Sequence, residues 1–257
     1  MRILALPRGK TTNKREKFLR EMYENIILPY ELSDGYEEEV VGEFENKFEE
    51  EYFHNFISFV KPKAQILDLA CGDGRHTLKL SDNVEHVIAF DISPKNLEKA
   101  RRKCLKKNVS YVKGSMLNLP FRPQTFDGVW FSQAFEYVPP DLRETFLKQL
   151  NHILKTNGMS FMSVETWMNA NILTSLKELL SDFKLFCCWK FLKRKPLIWG
   201  EFLYYCAPRG AAERFSGWHY HVHTDKRALR KLLDKYGFII KKMDVKCGYI
   251  YLLIVKS

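Results

Sequence analysis

From residue 65 onward the chain alternates short β-type runs with helical segments, and no other feature narrows its fold as far. The runs are Gln65-Ile-Leu-Asp-Leu-Ala70, Val87-Ile-Ala-Phe-Asp91, Ser110-Tyr-Val-Lys113, Phe126-Asp-Gly-Val-Trp-Phe131 and Met159-Ser-Phe-Met-Ser-Val164. Apolar runs spaced by helical stretches predict βαβ units and a mostly parallel sheet. Ser93-Pro94 offers an N-cap with proline at the first helical position, and Asp141-x-x-Glu144 has the form of a capping box. Asn157-Gly158 is expected to terminate a helix ending near Lys155. A helix from Asp225 to Lys235, stopped by Gly237, leads into Phe238–Val245 and Tyr249–Val255. Only Lys246, Cys247 and Gly248 separate these last runs, too few residues for a crossover, so they form an antiparallel hairpin.

A chain of 257 residues that is 46% hydrophobic can bury one large core, which predicts a single catalytic domain over 61–257. Residues 1–60 read as a helical extension or lid, in which Phe44, Phe48, Tyr52 and Phe56 recur every four residues on one helical face. Residues 168–215 break the rhythm with aromatics, vicinal Cys187 and Cys188, and the basic run Lys190-Phe-Leu-Lys-Arg-Lys195; they read as an insertion over the active-site rim. No apolar run approaches the roughly 20 residues of a membrane span, and Met1–Pro7 is too short for a signal peptide. The six cysteines form no C-x-x-C pair. A soluble, cytoplasmic protein with free thiols is therefore expected. The net charge of +10 attracts anionic partners such as RNA, nucleotides or anionic lipid, although the charge is spread along the chain.

The chemistry-bearing residues begin at the end of the first run. Ala70-Cys71-Gly72-Asp73-Gly74-Arg75 is a tight glycine turn leading into a helix, where small residues let the backbone approach a ligand. Asp91 ends the next run, where a carboxylate can accept hydrogen bonds from ribose hydroxyls, or else cap the helix at Ser93. The third glycine of a dinucleotide fingerprint is replaced by Thr77, so a pyrophosphate is disfavoured, and with it a nicotinamide-dependent oxidoreductase. Ribose and adenine without phosphate fit better, and Asp68 places negative charge where a sulfonium and an amino group would lie.

Taken in order, these motifs resemble the class I S-adenosylmethionine-dependent methyltransferases from Gln65 to Val255. The resemblance implies a Rossmann-like three-layer α/β sandwich, with a seven-stranded, mostly parallel sheet and an antiparallel last strand. It implies S-adenosyl-L-methionine as cofactor, with Asp68, Ala70, Gly72 and Gly74 around the methionine part, Asp91 on the ribose and Ile92 on the adenine. Gly114-Ser-Met-Leu-Asn-Leu-Pro-Phe121 is similar to the third-strand loop; Ser115 stands where the family usually carries an adenine-binding aspartate, and Met116 follows it. Phe126–Pro139 resembles the family's fourth strand and following loop, which implies that Ser132, Gln133 and Ala134 lie beside the transferring methyl; Tyr137 stands where many relatives carry histidine.

Methyl displacement needs alignment in a dry pocket more than a universal catalytic residue, but an oxygen or nitrogen acceptor can require a base. The candidates lie in Trp218-His219-Tyr220-His221-Val222-His223, an extended segment whose alternation sets the three histidines on one face. His221, His219 and Tyr220 are the expected catalytic residues. Metal binding is not expected, because no carboxylate partner is evident for these histidines. The apolar insertion favours a small or lipid-like acceptor. The basic run and a likeness of Tyr220-His221-Val222 to methyltransferases of modified wobble uridines in tRNA keep RNA open. A non-catalytic, cofactor-binding partner subunit is the remaining class.

Overall fold

The computed structural model describes residues 13–27, 43–169, 171–206 and 217–257. Seven strands form one sheet: β1 (Gln65–Leu69), β2 (His86–Asp91), β3 (Val109–Lys113), β4 (Phe126–Phe131), β5 (Leu154–Glu165), β8 (Phe238–Lys246) and β9 (Tyr249–Lys256). Their order is β3-β2-β1-β4-β5-β9-β8, with β9 antiparallel to both neighbours and the β1 to β5 ladders all parallel. Strands β6 (Glu201–Cys206) and β7 (Gly217–Val222) pair antiparallel in a separate ribbon. This is the three-layer α/β sandwich expected from the alternation, with the predicted closing hairpin. The central strands are buried on both faces, which is why their sequences run continuously apolar instead of alternating.

Each face has its own core. On one, helix α2 (Glu43–Phe59) lays Tyr52, Phe53 and Phe56 over Trp130 and Phe161, whose rings stack at 3.9 Å. Gly128 permits this approach, since a Cβ there would lie 2.6 Å from Phe56 Cζ. On the other face, α5 (Pro140–Ile153) and α7 (Lys226–Lys235) bury Phe146, Leu147, Leu150, Leu229 and Leu233. Helix α1 (Asn13–Met22) joins this second core through Phe18, Leu19 and Met22, and Tyr23 of the following π-helical turn extends it. Helices α3 (Arg75–Ser81) and α4 (Pro94–Lys103) follow β1 and β2, and α6 (Ile172–Cys187) opens the inserted region.

Three local expectations are corrected. Asp141 does not cap α5; the helix already begins at Pro140, and the carboxylate is taken by Arg15. Asn157-Gly158 does not end a helix, because α5 stops at Ile153 and Asn157, at φ +61°, turns the chain inside β5 where the register to β4 shifts. The four-residue aromatic spacing overstates the stripe on α2: Phe53 is buried with Tyr52 and Phe56, while Phe48 is half-buried. The side chain of Phe44, residues 1–12 and 28–42 of the predicted extension, and 207–216 of the predicted insertion lie outside the described residues. Among the described residues no helix is long and apolar enough to cross a membrane.

Candidate active site

The glycine turn after β1 is bent at three positions into left-handed backbone: Ala70 at φ +55°, Gly72 at +55° and Gly74 at +87°. At Gly74 a Cβ would stand 2.8 Å from that of Ala100, so α4 can approach only a glycine. Asp91, ending β2, accepts hydrogen bonds from the backbone N–H of Gly72 (2.9 Å) and of Ser93 (2.8 Å). Its carboxylate thus fastens two turns together, while the cap of α4 is the Ser93 hydroxyl, accepting from Asn96 N at 3.3 Å. Burial raises the Asp91 pKa against the opposing pull of these backbone donors.

Asp68 is buried near the end of β1 and accepts from the Thr77 hydroxyl at 2.6 Å, so the residue replacing the third glycine has a defined partner. Burial pushes the Asp68 pKa up to about 7; Thr77 and Arg75 oppose this and Asp91 adds to it.

Two adjoining cavities open over these strand ends. One is lined by Asp68, Gly72, Asp91, His76, Ser132 and Gln133 among others. The second is lined by Tyr23, Phe90, Ile92, Ser115 and Met116, and the two share Ala70, Asp91, Ala134 and Tyr137. Every predicted cofactor residue except Gly74 lines one cavity or the other; Gly74 acts through the turn. The donor set fits an adenosyl group with a cationic tail: an apolar slot, then an acid between two glycine-bent turns, then the buried acid Asp68. Ser115 Oγ lies 3.4 Å from the Tyr23 hydroxyl and accepts from Leu117 N, so α1's C-terminal extension walls the apolar slot.

Sequence reasoning missed Glu49. This carboxylate on α2 is fully buried and binds Arg75 (2.7 Å), His76 Nε2 (3.1 Å) and the Ser132 hydroxyl. Burial raises its pKa, but His76, Arg75 and Ser132 outweigh that and bring it down to about 2. It ties α2 to the cavity wall. A signal existed: Glu49 stands three and four residues before Tyr52 and Phe53, an acid on a buried stripe.

On the other side of Tyr137, β7 alternates as predicted. His221 Nδ1 lies 2.7 Å from Glu165 Oε2, and the His221 ring meets Tyr137 edge-on at 5.2 Å. His223 Nδ1 lies 2.6 Å from Asp182 of α6. His219 stacks on Tyr204. The carboxylates that the sequence did not show near these histidines therefore arrive from distant elements. Among the described residues, however, no group of three or more His, Cys, Asp or Glu could hold a metal ion.

Because a carboxylate only accepts, Nδ1 of His221 carries the proton, and Nε2 is a buried atom with no partner. Burial pulls the His221 pKa down, but the charge of Glu165, its hydrogen bond and Glu136 leave it raised. Glu136, in the loop after β4, is buried with its Oε2 also unpartnered, and burial next to Glu165 raises its pKa to about 8. Its surroundings favour the protonated form.

Tyr220 points to the opposite face. Its hydroxyl donates to Glu201 at 2.5 Å, and Glu201 is gripped by Arg15, which also holds Asp141 at 2.6 Å. This knot joins α1, α5 and the β6–β7 ribbon away from both cavities.

Residues 66–158 match a family model described as a methyltransferase domain. An uncharacterized methyltransferase of Synechocystis is 30% identical over 189 residues, covering 74% of this chain and 73% of that protein. The chain belongs to the class I S-adenosylmethionine-dependent methyltransferases. A demethylmenaquinone methyltransferase of Staphylococcus saprophyticus is 38% identical over 104 residues, 39% of this chain, and the chain spans only 44% of that enzyme's length. Among solved structures, a DhpI–SAM–HEP complex superposes with a TM-score of 0.62 over 96% of this chain and all of that one, at 15% identity, which is a likeness of fold.

Proposed function

We propose that this methyltransferase transfers a methyl group to an oxygen or nitrogen atom of a small acceptor, with His221 taking the acceptor's proton. The carrying observation is the buried, unpartnered Nε2 of His221, backed through Nδ1 by Glu165, with a buried, unpartnered Glu136 carboxyl in the same cluster. Bound S-adenosylmethionine supplies an electrophilic methyl. Asp91, Asp68 and the turns at Ala70 and Gly72 would hold it, with Phe90, Ile92 and Met116 around the adenine. Glu165 fixes the imidazole tautomer and supports the imidazolium that forms, as a carboxylate does for a catalytic histidine. Tyr137 lines both cavities and meets the His221 ring edge-on, so it stands between the cofactor region and the histidine as a wall that the acceptor would share with both. The described parts of the extension and of the insertion, residues 13–27 and 43–60 and residues 171–206, would form the two walls of the acceptor region. The names of two relatives, a demethylmenaquinone methyltransferase and a 2-methyl-6-phytyl-1,4-hydroquinone methyltransferase, support a ring-bearing, lipid-like acceptor. Free thiols such as Cys71 and Cys104 suit a cytoplasmic setting.

The test is calorimetric titration with S-adenosylmethionine and its demethylated product, followed by labelled-methyl transfer into lipid, metabolite and RNA extracts. Micromolar binding with label in a small organic fraction is expected. Label in RNA would restore the nucleic-acid reading, and no binding would reduce the chain to a partner subunit.

A further inference from the structure

Helix α6 shows water an apolar face that the fold does not cover. Ile172, Leu173, Leu176, Leu180 and Phe183 are 49–74% exposed, whereas Ser175 and Asp182 turn inward. At about 100° per residue the five apolar side chains fall in one arc of about 100°, a third of the helix circumference. Lys177 and Lys184 follow along the border of that arc farthest from the core, while the exposed Glu178 stands on the other flank.

The surface continues past the helix. Phe183 meets the half-exposed Trp199 at 6.2 Å, and the turn after α6 exposes Phe191 and Leu192 immediately before Lys193, Arg194 and Lys195. Scattered exposed leucines are ordinary; a contiguous apolar strip edged by cations is not. Asn171 fixes the start of the helix by accepting from Leu173 N at 2.8 Å, so the strip is presented on a capped, folded element.

We infer that this strip docks in the interfacial layer of an anionic lipid bilayer, α6 lying in the membrane plane with its apolar arc among the acyl chains and its lysines at the headgroups. Charge complementarity selects this occupant. A helix with a wide apolar arc and lysines beside it is the form that sits in an anionic interface. A second copy of a chain of net charge +10 would bring Lys177 and Lys184 against their own kind. The same helix donates Asp182 to His223, so docking would place the bilayer beside the histidine strand. Delivery of a lipid-borne acceptor rests on the function proposed above; the docking itself does not.

The experiment is flotation of the full chain with vesicles of phosphatidylcholine alone or mixed with phosphatidylglycerol, without cofactor or acceptor. Binding to the anionic vesicles should exceed binding to the neutral ones by about tenfold or more and fall with salt. Leu176→Glu with Leu180→Glu should abolish it, and Lys177→Glu with Lys184→Glu should weaken it about thirtyfold or more. Both variants lie outside the cofactor cavities and should keep wild-type affinity for S-adenosylmethionine, which separates failure of docking from failure of the methyltransferase site. Should the leucine variant not fold, quenching of wild-type tryptophan emission by brominated acyl chains decides in its place. Absence of flotation and quenching, flotation indifferent to the leucine changes, or a dimer dissolved by them that binds no vesicle would each overturn the inference.

Discussion

At the cofactor end of the cleft the binding groups are main-chain turns and the residues beside them: Ala70, Gly72 and Gly74 bend one segment, and Asp91 pins it from 19 positions away. At the histidine end, the polar groups meet across 56 positions for Glu165 and His221 and 41 for Asp182 and His223. The first end is stiff because the backbone is its ligand. The second is a set of side chains hung on separate elements, so it can change occupant without disturbing the first. That division suits a fold in which one cofactor serves many acceptors.

The sharpest way to break this comparison is His221→Ala. Turnover should fall by about 10²–10⁴, while calorimetric affinity for S-adenosylmethionine stays near wild type. A fall in both would show that the two ends are one unit, and loss of folding would make the histidine structural. Next in size, Asp91→Ala should weaken cofactor binding by about 1–3 kcal/mol, since it removes a ribose acceptor and unfastens the Gly72 turn. Wild-type affinity in that variant would remove Asp91 from the site.

The next measurement is pH dependence. With the Asp68 pKa raised to about 7, the free protein keeps a proton there that the unfolded chain has lost. The associated stability is fully present below the ordinary aspartate value and is lost as pH rises through 7. A bound cation favours the ionised acid, so affinity for S-adenosylmethionine should climb roughly tenfold between pH 6 and 8 and then level off. Asp68→Asn should flatten that climb. The smallest expected effect is a displaced limb: Glu165 holds the His221 pKa above its ordinary value, so Glu165→Gln should move the acid limb of kcat to lower pH. An unmoved limb would separate the histidine from the rate.

This same division governs what could be read from the chain. Strands β1, β2 and β4 were legible because they are largely buried and mostly apolar, while the half-buried edge strand β3 and the polar-interrupted β5 stood out by their place in the alternation; the cofactor residues were legible because their roles sit within short turns. Asp141 was misread since an acid in the first turn of a helix has the same local pattern as a cap. Asn157-Gly158 was misread because a left-handed Asn turns a bulged strand as well as it ends a helix. The carboxylates beside His221 and His223 had no local signature at all; only the crossing of β5, α6 and β7 brings them there. Glu49 lay between these cases, visible as a charge on an apolar stripe.

Strand β9 carries a consequence for synthesis. It is buried along its length and sits between β5 and β8, yet it follows every other strand of the sheet in the chain. A growing polypeptide therefore carries β5 as an open edge, able to pair with a neighbouring chain, until residues 249–256 have cleared the ribosome. The cofactor turns, all in the first half of the sheet, are translated long before that edge is closed.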